Sequence, residues 1–228
     1  MNTELAQRGI QEFGGLYLPA HEKHLIEWMR KKNQIVEGRQ SYQLDKINRA
    51  MAECRQFRGA IDVGAHCGLW SMQLARKFER VYAFEPVALH RECWHLNMRA
   101  APNATLYPDA LGEQPGTIAM HTTDGSSGDS WVQPGAAGDI PLNTIDSIEF
   151  SMPIDFIKLD CEGYELFALR GGEALLRRDR PTVLVEQKPG RAQKFGQPEI
   201  GAVDFLRSLG ATLRWHQSGD YCMTLAWA

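Results

Sequence analysis

Ile61-Asp62-Val63-Gly64-Ala65-His66-Cys67-Gly68 runs from an apolar strand into a glycine turn, and Leu69-Trp70-Ser71-Met72-Gln73-Leu74-Ala75 then resumes helical spacing. Strand, glycine turn and helix in direct succession open a doubly wound α/β sheet, whose ligand sits over the turn. Gly64 permits a sharp bend, and Gly68 permits close approach at the helix start. The G-x-x-x-G spacing lacks the third glycine of a dinucleotide turn, and no G-K-[ST] follows as a P-loop requires. Asp62, just before the turn, would repel a phosphate but suits loop amides or an ammonium. A zwitterionic ligand therefore fits the turn better than a phosphorylated one.

Outward from this unit, apolar strand-like runs alternate with helical patterns, as in a parallel sheet with crossover helices. The predicted strands are Ala60–Val63, Val81–Phe84, Thr105–Tyr107, Ile154–Leu159, Thr182–Glu186, Ala211–Trp215 and residues 221–226, with an extra strand at Thr117–His121. Only His216-Gln-Ser-Gly-Asp220 separates the last two runs, which is too short for a helical crossover, so they should form an antiparallel hairpin. The expected fold is a seven-stranded, Rossmann-like sheet with its last strand reversed. Residues 59–228 form that domain, preceded by a helical extension over residues 1–58. Within the extension, helices are expected at His21–Lys32 and Asp45–Gln56, the second carrying the stripe Leu44, Ile47, Met51 and Cys54. The Gly/Ser/Pro-rich residues 122–143 read as a long loop, of the kind that is usually functional.

Arg80-Val-Tyr-Ala-Phe-Glu85-Pro86 ends a strand in a carboxylate 21 residues beyond Gly64. An acid at this place accepts hydrogen bonds from ribose hydroxyls in doubly wound folds, and Pro86 fixes the turn behind it. Pro108-Asp109-Ala110-Leu111-Gly112 offers an acidic acceptor for an exocyclic amine and small apolar residues to flank a ring. Asp109 reads equally well as the opening residue of a turn.

The most distinctive stretch is Asp155-Phe-Ile-Lys158-Leu-Asp160-Cys-Glu162-Gly163-Tyr164-Glu165, a buried strand ending in ionisable groups. Period-two geometry sets Lys158 and Asp160 on one side, and Glu162 follows as the chain turns into a helix through Leu166, Leu169 and Leu176. The motifs I-D-V-G-A-x-x-G, F-E-P, D-A-L-G and K-L-D-C-E-G-Y-E, in this order over residues 60–186, resemble the FkbM family of methyltransferases. The resemblance implies a class I methyltransferase fold, S-adenosylmethionine as methyl donor and, most often, a hydroxyl oxygen as acceptor. It implies a donor site at Asp62, Gly64, Ala65, His66, Gly68, Glu85, Pro86, Asp109, Ala110, Leu111 and Asp160. The family usually has Asn where this chain has His66.

Methyl transfer to a hydroxyl is an in-line displacement that needs alignment and a base. Asp160, Glu162 and Glu186 are the candidate bases, and Lys158 can orient or tune them. Lys158 and a carboxylate could equally form a structural ion pair. Two carboxylates on one strand end are too few to assign a metal site, and His21 with His24 is only a half-site. Two rival functions stand beside this reading: a nicotinamide-dependent oxidoreductase, and a non-catalytic S-adenosylmethionine-binding module.

Composition narrows the partners. A net charge of -3 over 228 residues argues against a nucleic-acid grip, which leaves a small-molecule or glycan acceptor. Five scattered cysteines without a C-x-x-C pair suit reduced thiols and a cytoplasmic location, and no run reaches membrane-span length.

Overall fold

The computed structural model describes residues 3–123 and 125–225. Seven strands form one sheet: β1 (Gly59–Val63), β2 (Arg80–Phe84), β3 (Ala104–Tyr107), β4 (Ile154–Leu159), β5 (Thr182–Glu186), β6 (Ala211–Gln217) and β7 (Asp220–Leu225). Their order is β6-β7-β5-β4-β1-β2-β3. β7 runs antiparallel to both β5 and β6, and the remaining pairings are parallel. The predicted terminal hairpin is therefore present, although Ala226 lies outside the described residues. From β1 the chain fills one half of the sheet through β2 and β3, and from β4 it fills the other. The crevice above the adjoining ends of β1 and β4 is the topological switch point, where open α/β sheets bind ligands.

The core follows from alternation along strands buried on both faces. Ile61, Val63, Ile157 and Leu159 join one cluster with Leu166, Leu169, Val203 and Leu206 of the covering helices. Ala60, Val81 and Phe156 join the opposite cluster, which contains Trp70 and Leu74 as well as Ile47, Ala50 and Met51 from the helix Leu44–Met51. The extension thus contributes to the core of the sheet.

Several elements differ from the sequence expectation. The extension contains the hairpin Ile10–Phe13 with Leu16–Pro19, turning at Gly14-Gly15, and the short pair Ile35–Val36 with Arg39–Gln40, besides its helices. The first hairpin lies on the helix Ala88–Met98 through Asn97, which exchanges hydrogen bonds of 2.9 and 2.8 Å with the backbone of Tyr17. The helix expected from His21 starts at His24, because Glu22 turns back to accept the Leu25 N–H at 2.8 Å. The helix expected to Gln56 ends at Met51. The predicted strand Thr117–His121 is divided into Gly116–Ile118 and Met120–His121. Residues 122–143 are not all loop. Trp131–Val132 pairs with Met120–His121, and Ile140–Asn143 pairs with Gly116–Ile118 and Ala110–Leu111. The helix expected to continue from Leu166 through Leu176 breaks at Gly171-Gly172 into Glu165–Arg170 and Glu173–Asp179. A Cβ at Gly171 would stand 2.0 Å from the Gly112 carbonyl oxygen, so a close backbone crossing forces the break.

Candidate functional site

A cavity opens at the carboxyl ends of β1, β2, β4 and β5 and is closed above by Ser126–Ser130 and by Tyr42 and His24 of the extension. Gly64, Ala65, His66, Glu85, Pro86, Asp109, Ala110, Leu111, Lys158, Asp160, Glu162 and Glu186 all line it, so four separate motifs converge on one space. Asp62 and Gly68 stand behind the wall instead. Asp62 is fully buried, accepts the Ser71 hydroxyl at 2.7 Å and faces Lys158 Nζ at 3.2 Å. Gly68 has a left-handed backbone at φ +83°, and a Cβ there would meet Trp94 at 2.9 Å, so helix packing accounts for it.

Gly64 is required for a related reason. Its φ is +73°, and a Cβ would lie 2.0 Å from the carbonyl oxygen of Asp160. The glycine turn after β1 and the acidic turn after β4 are thus pressed together. Lys158 fastens the contact from below, donating to the Gly64 carbonyl at 2.8 Å and the Val63 carbonyl at 3.3 Å. Burial opposes its charge, but Asp62 and then Asp160 outweigh burial and hold the ammonium above its usual range.

At the β2 end, Glu85 is buried with its carboxylate fully oriented. Oε2 accepts the His66 N–H at 2.8 Å, and Oε1 accepts the Val87 N–H at 2.9 Å and faces His90 Nδ1 at 3.2 Å. Burial alone would raise its pKa, yet His90 and the two amides together bring it below the ordinary value. A carboxylate has about four lone-pair sites, so Glu85 keeps acceptor capacity toward the cavity.

The β4 and β5 ends have the opposite character. One oxygen each from Asp160, Glu162 and Glu186 lies within 4.8 Å of the others. Burial, and then repulsion from Asp160, pushes Glu186 up to about 9 although Lys188 Nζ stands 2.7 Å away. Glu162 is pushed up to about 7 by the same two causes, in the same order. Its Oε2 lies 3.0 Å from Arg191 Nε but receives no aligned hydrogen bond. Glu162 also has a left-handed backbone at φ +57°, an uncommon conformation for a side-chain-bearing residue. The turn is held by Glu165, the last acid of the motif, which accepts the Cys161 and Gly163 N–H groups at 3.0 Å each.

Sequence reasoning missed four contributors. Ser127 lies in the segment read as loop, and Glu22 and Tyr42 belong to the extension. Arg191, after β5, pairs with both Asp129 at 2.7 Å and Glu162 at 3.0 Å. None of these has a local signal: Glu22, Ser127 and Arg191 matter through partners more than 25 residues away in the chain, and Tyr42 through its place in the cavity wall. The five cysteines are free, and among the described residues no helix is long and apolar enough to cross a membrane.

Comparison with known proteins agrees with this geometry. A methyltransferase FkbM from Methylobacillus flagellatus KT superposes with a TM-score of 0.53 at 22% identity, covering 75% of this chain and 44% of its own. This chain therefore spans less than half the length of that protein. A Streptococcus mutans protein described as a methyltransferase, in complex with SAH, superposes with a TM-score of 0.50 at 11% identity, covering 81% of this chain and 99% of its own. No curated protein matches the sequence. The model of the methyltransferase FkbM domain matches residues 62–213, well over half of the 228 residues and all of the four motifs but the leading Ile61, so this chain belongs to the FkbM methyltransferase family.

Proposed function

We propose that this S-adenosylmethionine-dependent methyltransferase acts on a hydroxyl oxygen of a sugar or other small molecule. The observation that carries the reading is the group of three carboxylates beside Gly64, where an acceptor hydroxyl would need a base.

The donor set suits S-adenosylmethionine. Glu85 offers an oriented carboxylate for ribose hydroxyls, and Asp109, Ala110 and Leu111 offer an acidic acceptor beside apolar surface for adenine. Gly64, Ala65 and His66 would hold the amino-acid end, with Asp62 and Gly68 supporting the turn from behind. When bound, the donor supplies a methyl group on a positively charged sulfur, which favours a nearby acidic cluster electrostatically.

Within that cluster the roles divide. Glu186 keeps its proton to about pH 9, so near neutrality it is a hydrogen-bond donor and not a base. Asp160, the member whose side chain is most open to the cavity, takes the acceptor's proton. Glu162 titrates near 7 and shares that proton, so the group behaves as one coupled unit. Lys158 fixes the turn that carries Asp160. Residues 1–58 act as a cap, because His24 and Tyr42 form part of the wall.

The test is methyl transfer to a panel of glycans and small hydroxyl compounds, with the product bond located by mass spectrometry. Transfer to nitrogen would overturn the acceptor assignment. Donor binding without transfer to any member would favour a non-catalytic module.

A further inference from the structure

His66 occupies the turn between β1 and the following helix, and its ring is tied to two distant segments. Its Nε2 lies 2.8 Å from Ser127 Oγ. Ser127, buried to 1% exposure, donates both its backbone N–H, at 2.7 Å, and its hydroxyl to Oε2 of Glu22. Glu22, equally buried, accepts the Leu25 N–H on its other oxygen. The direction of this chain follows from Ser127. Its one hydroxyl proton goes to the Glu22 carboxylate, so Oγ accepts from the ring and places the imidazole proton on Nε2, which also lies 3.8 Å from Cys67 Sγ. Nδ1 is then the ring's lone pair. It has no protein partner among the described residues, is not sealed in protein, and belongs to a residue on the cavity wall. Burial, and then the neighbouring His90, Lys158 and His21, lower the ring's pKa well below its ordinary value, so it stays neutral.

We infer that Glu22 and Ser127 are positioning residues that lock His66 as the Nε2–H tautomer, so that its Nδ1 accepts a hydrogen bond from the α-ammonium group of the methyl donor. The inference uses donor binding alone and does not depend on the acceptor. It gives the extension and the covering segment a common task, because the tautomer is set only when Glu22 and Ser127 meet over the turn. At the amino-acid end, which lies over the glycine turn in this reading, the α-ammonium has this chemistry: it donates, whereas the α-carboxylate has no proton to offer a lone pair.

The test begins with the wild-type chain and needs no variant. Two-bond 15N–1H correlation of the imidazole should show Nδ1 unprotonated in the free protein. The Nδ1 resonance should move on adding S-adenosylhomocysteine but not on adding 5′-methylthioadenosine, which lacks the amino-acid portion. Calorimetry then compares these two ligands. Ser127→Ala, Glu22→Gln and His66→Ala should each weaken S-adenosylhomocysteine by about tenfold, the scale of one hydrogen bond to a charged group, and leave 5′-methylthioadenosine nearly unchanged. Ser127→Ala should also move the His66 signals toward a mixture of tautomers. A protonated Nδ1 in the free wild-type protein, an Nδ1 resonance insensitive to S-adenosylhomocysteine, or equal losses for both ligands would each overturn the inference.

Discussion

Glu85 and Glu186 stand at the carboxyl ends of β2 and β5, with two strands between them in one sheet, at nearly equal burial, 5% and 6% exposed, yet their proton affinities are driven in opposite directions. Glu85 falls below its ordinary range because two amides and His90 point at it. Glu186 rises to about 9 because burial, and then repulsion from Asp160, outweigh the one lysine beside it. Burial pushes both upward to begin with, and the sign of the nearest partners decides whether that push is overcome or reinforced. At the β2 end the carboxylate is held in place by the His66 and Val87 amides and by His90. The β4 and β5 ends hold excess acid, which a positively charged donor or a proton relieves.

The most severe way to break this contrast is Gly64→Ala, which strikes both ends together. A Cβ there would stand 2.0 Å from the Asp160 carbonyl oxygen in a left-handed backbone, so we expect a loss of about 3 kcal/mol or more of stability. Chemical denaturation measures this, and a loss under 1 kcal/mol would show that the two turns can separate freely.

Asp160→Asn acts on the acid-rich end alone. Turnover should fall about 100-fold or more, as for lost general-base help, while donor affinity falls much less. Glu162→Gln should follow the same pattern more weakly, since Glu162 only shares the proton. Steady-state kinetics with calorimetry separates the two quantities. Equal losses in both would make Asp160 a donor ligand and move the search for a base to Glu162.

Glu85→Ala should give the reverse pattern. S-Adenosylhomocysteine binding should weaken by about 1.5–3 kcal/mol, the cost of removing hydrogen bonds to a charged group, and turnover at saturating donor should partly survive. Unchanged affinity would reduce Glu85 to a brace for the His66 and Val87 amides.

The smallest effect is in pH dependence and sharpens the comparison. Glu162 and Glu186 bind protons more tightly folded than unfolded, so their contribution to stability is complete below about pH 4.5 and is lost as pH rises through about 7 and about 9. Glu186→Gln should flatten the upper part of that decline in thermal unfolding. Glu85 has the opposite sign: its contribution is present above its unfolded pKa and disappears as pH falls through its lowered folded value. An unaltered alkaline decline in Glu186→Gln would assign that slope to other groups.

The strand-turn-helix at Ile61–Ala75, the acid at Glu85, the K-x-D-x-E-G-x-E stretch and the short link before β7 settle the sheet from sequence alone, because each is a local pattern read within about twenty residues. Those patterns also bring out Asp160, Glu162 and Glu186 as neighbours, since parallel strands deliver their carboxyl ends to one edge. Tertiary structure alone decided what each residue does there. Gly64 and Gly68 are glycines because of Asp160 and Trp94, and Asp62 is a buried partner of Lys158 and Ser71. Tyr42 and Ser127 reach the cavity, and Glu22 and Arg191 hold wall residues from behind, all from segments whose composition reads as ordinary helix or loop. The physical reason is range: periodicity and turn chemistry act between residues close in the chain, whereas a carboxylate's charge and a histidine's tautomer depend on whichever donors folding brings within about 3 Å.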